Sequence, residues 1–286
     1  MTKKTPNDEI ANESVPMCFV RILGRPYLRS TALLCMASIF KNFFFRQYRA
    51  AFFSGRIPIS NVDHPLDRKI PFLPGKVGIY LDFVAFWMRG MSFLLGRCGR
   101  RALEPVRSFI EGMGRLYAYA AEVYGKNLST TERPFYVASP RFLLIHTVDP
   151  HLMCIPSLHV MVVVFAYTRF REIIKNLGEE EKFAAQAGEL YQGALAITEA
   201  ILYIKQHSVN CVPAALYAMT CFDPDLFPPD EAERFTSGIF KDVNLPNRED
   251  SEEIRGRILY LYRRFLAERE DGDWKEPVFN FLKNPV

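Results

Sequence analysis

Residues 149–168 read DPHLMCIPSLHVMVVVFAYT, a proline-broken segment that passes into an unbroken apolar run. Pro150 and Pro156 each remove a backbone donor and clash with a preceding helical turn, so the first half is a loop. From about Ser157 the residues are apolar and free of breakers, which predicts a helix. The wider segment 142–168 contains no Lys or Arg. It shows no alternation of the kind that marks a half-buried strand.

The same character extends outward. Arg169 to Lys182 reads as a charged linker. Gly188 to Phe222 is long and apolar, interrupted by Glu199, Lys205 and Pro213. From Asp223 acidic residues and Pro dominate. Ser251 to Glu268 then reads as an amphipathic surface helix, with Asp250 and Glu253 spaced like a capping box. Upstream, Lys126 to Pro140 is a Ser/Thr/Pro loop. A helix ending near Tyr124 follows a basic turn at Cys98 to Arg107. Val77 to Gly96 is apolar except for Asp82 and Arg89, and 55–76 reads as a Pro/Gly loop. No internal repeat and no strand pattern emerges, so the fold class is all-α. The expected organisation is a disordered 1–16, a helical domain over 17–222 and a polar C-terminal appendage over 223–286.

Composition narrows the function. Hydrophobic residues make up 49% of the 286, enough for a sizeable core. A net charge of +4 without a dense Lys/Arg stripe argues against nucleic acid. It suits an anionic lipid or a phosphate substrate. The six cysteines form no CxxC pair, so they read as small buried thiols. No secretory signal peptide is visible.

Three short segments carry the chemistry: Lys126 with Arg133-Pro134, then Pro156-Ser157-Leu158-His159, then Lys205-Gln206-His207 four residues before Cys211. Arg offers a planar fork to phosphate oxygens and Lys a point charge. Ser157 and His159 sit where a helix begins, and its free N–H groups favour an anion. His207 supplies a second imidazole. Two imidazoles flanking a phosphate provide a nucleophile on one side and a proton donor on the other. Fixed cations balance the transition-state charge, so no metal or other cofactor is expected.

These segments, KNLSTTERP, DPHLMCIPSLH and IKQHSVNCVPAA, resemble the PAP2 superfamily pattern KxxxxxxRP, PSxH and a His followed by x3-D. The second segment resembles the inositol-phosphorylceramide-synthase-like branch through Asp149, Pro150, Cys154 and Pro156 to His159. Ile70 to Trp87 resembles a hydrophobic segment of that branch, and the likeness covers roughly 65–220. It implies a bundle of about six core helices, with an amphipathic N-terminal region and a helical tail. It also implies a phosphatase or phosphotransferase acting on a phosphate ester, above all a lipid phosphate, through a phosphohistidine. Lys126 and Arg133 would bind phosphate, with Ser157, the backbone N–H of Leu158 and Lys205 beside them. His159 would serve as acid and base, and His207 as the nucleophile.

Three positions depart from the family pattern. Cys211 stands where the family has the Asp that orients the nucleophilic His, and a thiol is a poor acceptor. At i+4 in a helix the two would share a face. Ile201 stands in place of an Arg, and Pro213 would kink the helix. They motivate an alternative: an impaired PAP2-like scaffold that binds a phospholipid or a partner. A separate reading takes His146, His151, Cys154 and His159 as zinc ligands, but Pro150 and Pro156 divide them.

The branch usually spans the membrane six times, and the basic groups at 97–107 and 169–175 would then share one side with the N-terminal basics. The three motifs would face the other, extracytoplasmic side. Mean hydropathy is only −0.03, and the longest uncharged run in 20–53 is Ser30 to Phe40. A span needs about 20 apolar residues. That stretch reads as a basic amphipathic helix, on a membrane surface or in a core. Membrane association, multi-pass or peripheral, is the expectation; a soluble Phe-rich bundle is its alternative.

Overall fold

The computed structural model describes residues 9–53, 57–241, 245, 247–269 and 272–285. The expectations placed on 1–8 and on 55 and 56 lie outside them. The fold is all-α. In chain order the helices are α1 (Val15–Leu23), α2 (Pro26–Ile39), α3 (Phe45–Phe52), α4 (Val77–Leu81), α5 (Phe83–Arg97), α6 (Leu103–Tyr124), α7 (Pro140–Val148), α8 (Leu158–Asn176), α9 (Ala184–Tyr203), α10 (Cys211–Phe222), α11 (Pro229–Gly238), α12 (Arg248–Glu268) and α13 (Lys275–Lys283). A π-helical stretch, Phe40–Phe44, joins α2 to α3.

The apolar run that opens the sequence reading becomes α8, the axis of the core. Ser157 is its N-cap residue, and Val160 to Thr168 is buried on every side. Four helices, α5, α6, α9 and α10, surround it. That enclosure explains a helix with no polar face over its first three turns. Charge begins at Arg169, yet α8 continues to Asn176 rather than giving way to a linker, because Ile173 and Ile174 keep its inner face buried. The α6 helix passes close by: a Cβ on Gly112 would come within 2.5 Å of the Phe165 ring.

The stretch from Asp223 is not a detached appendage in the fold. α12 packs on α10 and α13 on α6, and Ile254, Ile258, Leu261, Phe265 and Phe281 are buried in the same core. The α12 N-terminus also differs from the capping-box expectation. The helix begins at Arg248 with no side-chain cap, because Asp250 and Glu253 turn to Lys69 instead, Asp250 at 2.9 Å. Likewise, order begins before residue 16: the Ile10 and Ala11 amides bond to the Glu189 carboxylate at 3.0 and 2.7 Å.

Two three-residue strands, β1 (Ile59–Asn61) and β2 (Leu128–Thr130), pair in parallel with Ser60 opposite Ser129. They are too short and polar to show a periodic signal. Their work is local. The Ser129 amide and carbonyl bond to Leu152 and Cys154, and its hydroxyl accepts from the Ile155 amide at 2.7 Å. The loop after β2 is thereby laid beside the loop that leads into α8.

Within the described residues one stretch, Pro74–Arg97, is long and apolar enough to cross a membrane, and half of it is buried in the protein.

Candidate functional site

His159 lies in the first turn of α8. His207 lies in the loop between α9 and α10, not on a helix. α9 closes with a Schellman motif: the Lys205 amide bonds to the Leu202 carbonyl and the Gln206 amide to the Ile201 carbonyl at 3.0 Å. Lys205 takes the left-handed position of that motif, at φ +58°. Its Nζ is drawn onto the Asp67 and Ile70 carbonyls, so it fastens the loop rather than reaching for a phosphate. The same motif ends the helix before His207, so the expected i+4 relation between His207 and Cys211 does not hold. Pro213 falls in the first turn of α10, where a missing N–H costs nothing, and it makes no kink.

The loop after His207 is held by residues that the sequence reading passed over. Asp67 accepts from the Ser208 hydroxyl at 2.6 Å, the Val209 amide at 2.8 Å and the His64 amide at 2.7 Å. Asn210 donates to the Val62 carbonyl and accepts from Arg257 of α12. The signal for Asp67 was its capping-box spacing from His64 within PLDRK, a stretch read only as loop.

These anchors bring the two imidazoles together. His207 Nε2 lies 3.4 Å from His159 Nδ1 and 3.4 Å from Ser157 Oγ. The His159 ring stacks on Tyr80 at 4.5 Å and meets Phe83 at 4.4 Å. Both aromatics reach it from either side of the break at Asp82 between α4 and α5. Burial pushes the His207 pKa down to about 4, against the pull of the Cys154 backbone. Burial and the neighbouring His207 hold His159 well below the usual range. Both rings are therefore neutral at pH 7, and each keeps one lone pair. His207 Nδ1 makes no well-formed hydrogen bond, with the Cys154 backbone as the acceptor nearest in effect.

Arg133 reaches the segments on which His151 and His207 stand. One guanidinium nitrogen meets Gln206 Oε1 at 3.3 Å and another the Asp149 carbonyl at 3.2 Å. A second polar layer sits beneath: Thr131 pairs with His151 at 2.7 Å, Asp149 accepts from the His151 amide at 2.8 Å, and Gln47 of α3 also donates to Asp149. The cavity between these groups, bounded by His159, His207, His151 and Leu158 of α8, is 20 Å³, room for about one water. On the far side of Arg133 opens a 660 Å³ groove that includes His64, Phe72, Glu132 and Lys205.

Two expected site residues stand elsewhere. Lys126 is exposed and places its Nζ 5.6 Å over the Phe279 ring of α13, so it does not converge with Arg133. The β-strand pairing that follows it turns Arg133 inward and leaves Lys126 at the surface. Cys211 is fully buried at the start of α10, where burial pushes its thiol well up, and no hydrogen bond joins it to His207. Among the described residues no three His, Cys, Asp or Glu side chains are grouped to hold a metal. His146, His151, Cys154 and His159 are spread over α7, its following loop and α8, with only His151 and Cys154 in contact. Compared with family models, with curated proteins and with solved structures, this chain finds no match in any of the three.

Proposed function

We propose that His159 and His207 form a phosphoester-processing site of PAP2 type, acting on a phosphorylated lipid. The observation that supports this reading most is the 3.4 Å approach of His207 Nε2 to His159 Nδ1 beside Ser157, with the Arg133 guanidinium on the adjoining Gln206. In that reading His207 attacks phosphorus and the ester P–O bond breaks. His159, protonated on substrate entry, gives its proton to the leaving oxygen. Water then attacks the phosphohistidine, its proton passes to His159, and the P–N bond breaks. An alcohol in place of water would make the reaction a transfer. Arg133 and the free amides at the α8 N-terminus meet the negative charge, and the route uses no metal.

Of the two membrane arrangements, we favour the peripheral one. α6 carries Glu104, Arg107, Glu111, Arg115 and Glu122, and charge inside a span is costly.

A second reading has a specific observation behind it. His207 Nδ1 makes no well-formed hydrogen bond, and no carboxylate pairs with the ring to fix its tautomer. In the serine-protease triad, loss of the corresponding Asp function costs about 10⁴ in rate. A PAP2-like scaffold that binds a phospholipid or partner without turnover fits that gap.

The deciding experiment is phosphate release from a panel of lipid and soluble monoesters. The enzyme reading expects vanadate-sensitive, EDTA-resistant release that vanishes in His159→Ala and His207→Ala. Release unchanged in both variants would sink it. Retained binding of a phosphorylated lipid with no release would establish the scaffold.

A further inference from the structure

The N-terminal helices leave a large apolar face uncovered. Leu34 is 72% exposed and Phe52 80%, and Leu33, Phe40, Phe45 and Phe53 join them along α2 and α3. The opposite face of the same helices is anchored: α2 packs along α6, with Leu28 and Cys35 buried. α7 extends the uncovered face. Tyr48 of α3 donates to the Val148 carbonyl at 2.9 Å, and Leu143 and Leu144 of α7 are exposed beside it.

The segment that carries this face has charge of one sign, its acidic neighbours Glu13, Glu104 and Glu111 lying beside α1 and α2. Residues 15–53 contain six Arg and Lys (Arg21, Arg25, Arg29, Lys41, Arg46 and Arg49) and no Asp or Glu. A groove of 470 Å³ opens at the end of α3, lined by Arg46, Arg49, Phe53, Ile57 and Tyr124. The Arg46 guanidinium lies against Gly125 of the α6 terminus, where a Cβ would come within 2.8 Å of it. Neither Arg46 nor Arg49 has an acidic partner among the described residues.

We propose that the outer face of α2, α3 and α7 docks on an anionic phospholipid bilayer, with Arg46 and Arg49 receiving a lipid phosphate. Aromatic and aliphatic side chains enter the headgroup boundary while the flanking Arg and Lys meet anionic lipid, the division of labour of an interfacial helix. A second copy of the chain is a poor occupant at the α3 end, because it would bring unpaired Arg46 and Arg49 near their own counterparts. This docking is independent of the phosphoester reading, since it concerns binding and not turnover.

The test is flotation of the full chain with vesicles of phosphatidylcholine, alone or mixed with phosphatidylserine. The protein should float with the mixed vesicles, and salt should weaken that binding. Phe52→Ser with Phe53→Ser should abolish flotation. Arg46→Ala with Arg49→Ala should weaken it by about fivefold per arginine, and Arg→Lys at both positions should largely preserve it. These side chains are exposed or groove-lining, so circular dichroism should show the helix content of each variant unchanged. No flotation with mixed vesicles would overturn the proposal, as would flotation indifferent to both variants. Light scattering that shows a dimer dissociated by the Phe substitutions would assign the face to a second copy instead.

Discussion

Replacing His207 by Gln should flatten the acid side of the stability curve. In the folded protein burial holds His207 at about 4, whereas an unfolded histidine titrates near 6.5. Between those values the unfolded chain binds a proton that the folded chain refuses, so stability rises with pH across that window. The contribution is complete above about 6.5 and is lost as pH falls toward 4. At pH 5 the proton-binding ratio of the two states gives a loss of about 2 kcal/mol, approaching about 3 kcal/mol at pH 4 and below. His159 and His151, also depressed by burial, push the wild type further the same way. Asp67 and Asp149, raised by burial, push the opposite way, but they are common to both proteins. Denaturant unfolding of wild type and His207→Gln at about pH 7.5 and pH 5 reads the His207 contribution together with its hold on His159. The wild type should lose about 2 kcal/mol more than the variant between the two conditions. Equal pH dependence in both would refute a buried, neutral His207, and with it the lone pair that a nucleophile needs.

Asp67→Ala should destabilise the protein by about 2–4 kcal/mol, because three donors lose their acceptor while only one costly carboxylate is removed. Hydrogen exchange at the Val209 amide should accelerate with it, and protection equal to wild type would count against the anchor. Gly112→Ala should cost about 1–3 kcal/mol, since the new methyl would overlap the Phe165 ring at 2.5 Å. A thermal melt matching the wild type would show that α6 and α8 can separate without penalty.

Helices were legible because their signals are local. The run from Ser157 to Thr168 announced α8 by apolarity and by the prolines before it. Anchors that join distant segments left no such trace. Asp67 matters through Ser208 and Val209, 141 and 142 residues away, and nothing in PLDRK names those partners. Lys205 illustrates the same gap. A Lys beside a motif His suggests phosphate, yet the αL position at the end of α9 fixes its direction, and the side chain goes to backbone carbonyls. Lys126 and Arg133 share one short segment, but the β2 pairing between them sends one to the surface and the other inward. The meeting of His159 and His207 was legible because each stands in a motif. Tyr80 and Phe83, which press on His159, were hidden within an apolar stretch where every residue looked like core.

On the proposed phosphoester reading, the small cavity beside the imidazoles identifies the element that would have to give way. A 20 Å³ cavity admits one water and not the four oxygens of a phosphate. Of the walls around it, α8 is locked by four helices and the His207 loop by Asp67 and Arg257. α3 is held far less: its Gln47 and Phe43 of the preceding π-helical stretch close the cavity from the inner side, while its outer side carries exposed Phe and Arg. Its hold on the site runs through Gln47 to Asp149 and Tyr48 to Val148, with a π-helical stretch at its start. Such a stretch lies often at functional sites, where a helix can adjust its register at small cost. The same helix thus closes the imidazole pair on one face and offers the lipid-facing surface on the other. On the proposed phosphoester reading, this is the wall whose displacement would admit a phosphate, and the flotation variants Phe52→Ser and Phe53→Ser alter its outer side.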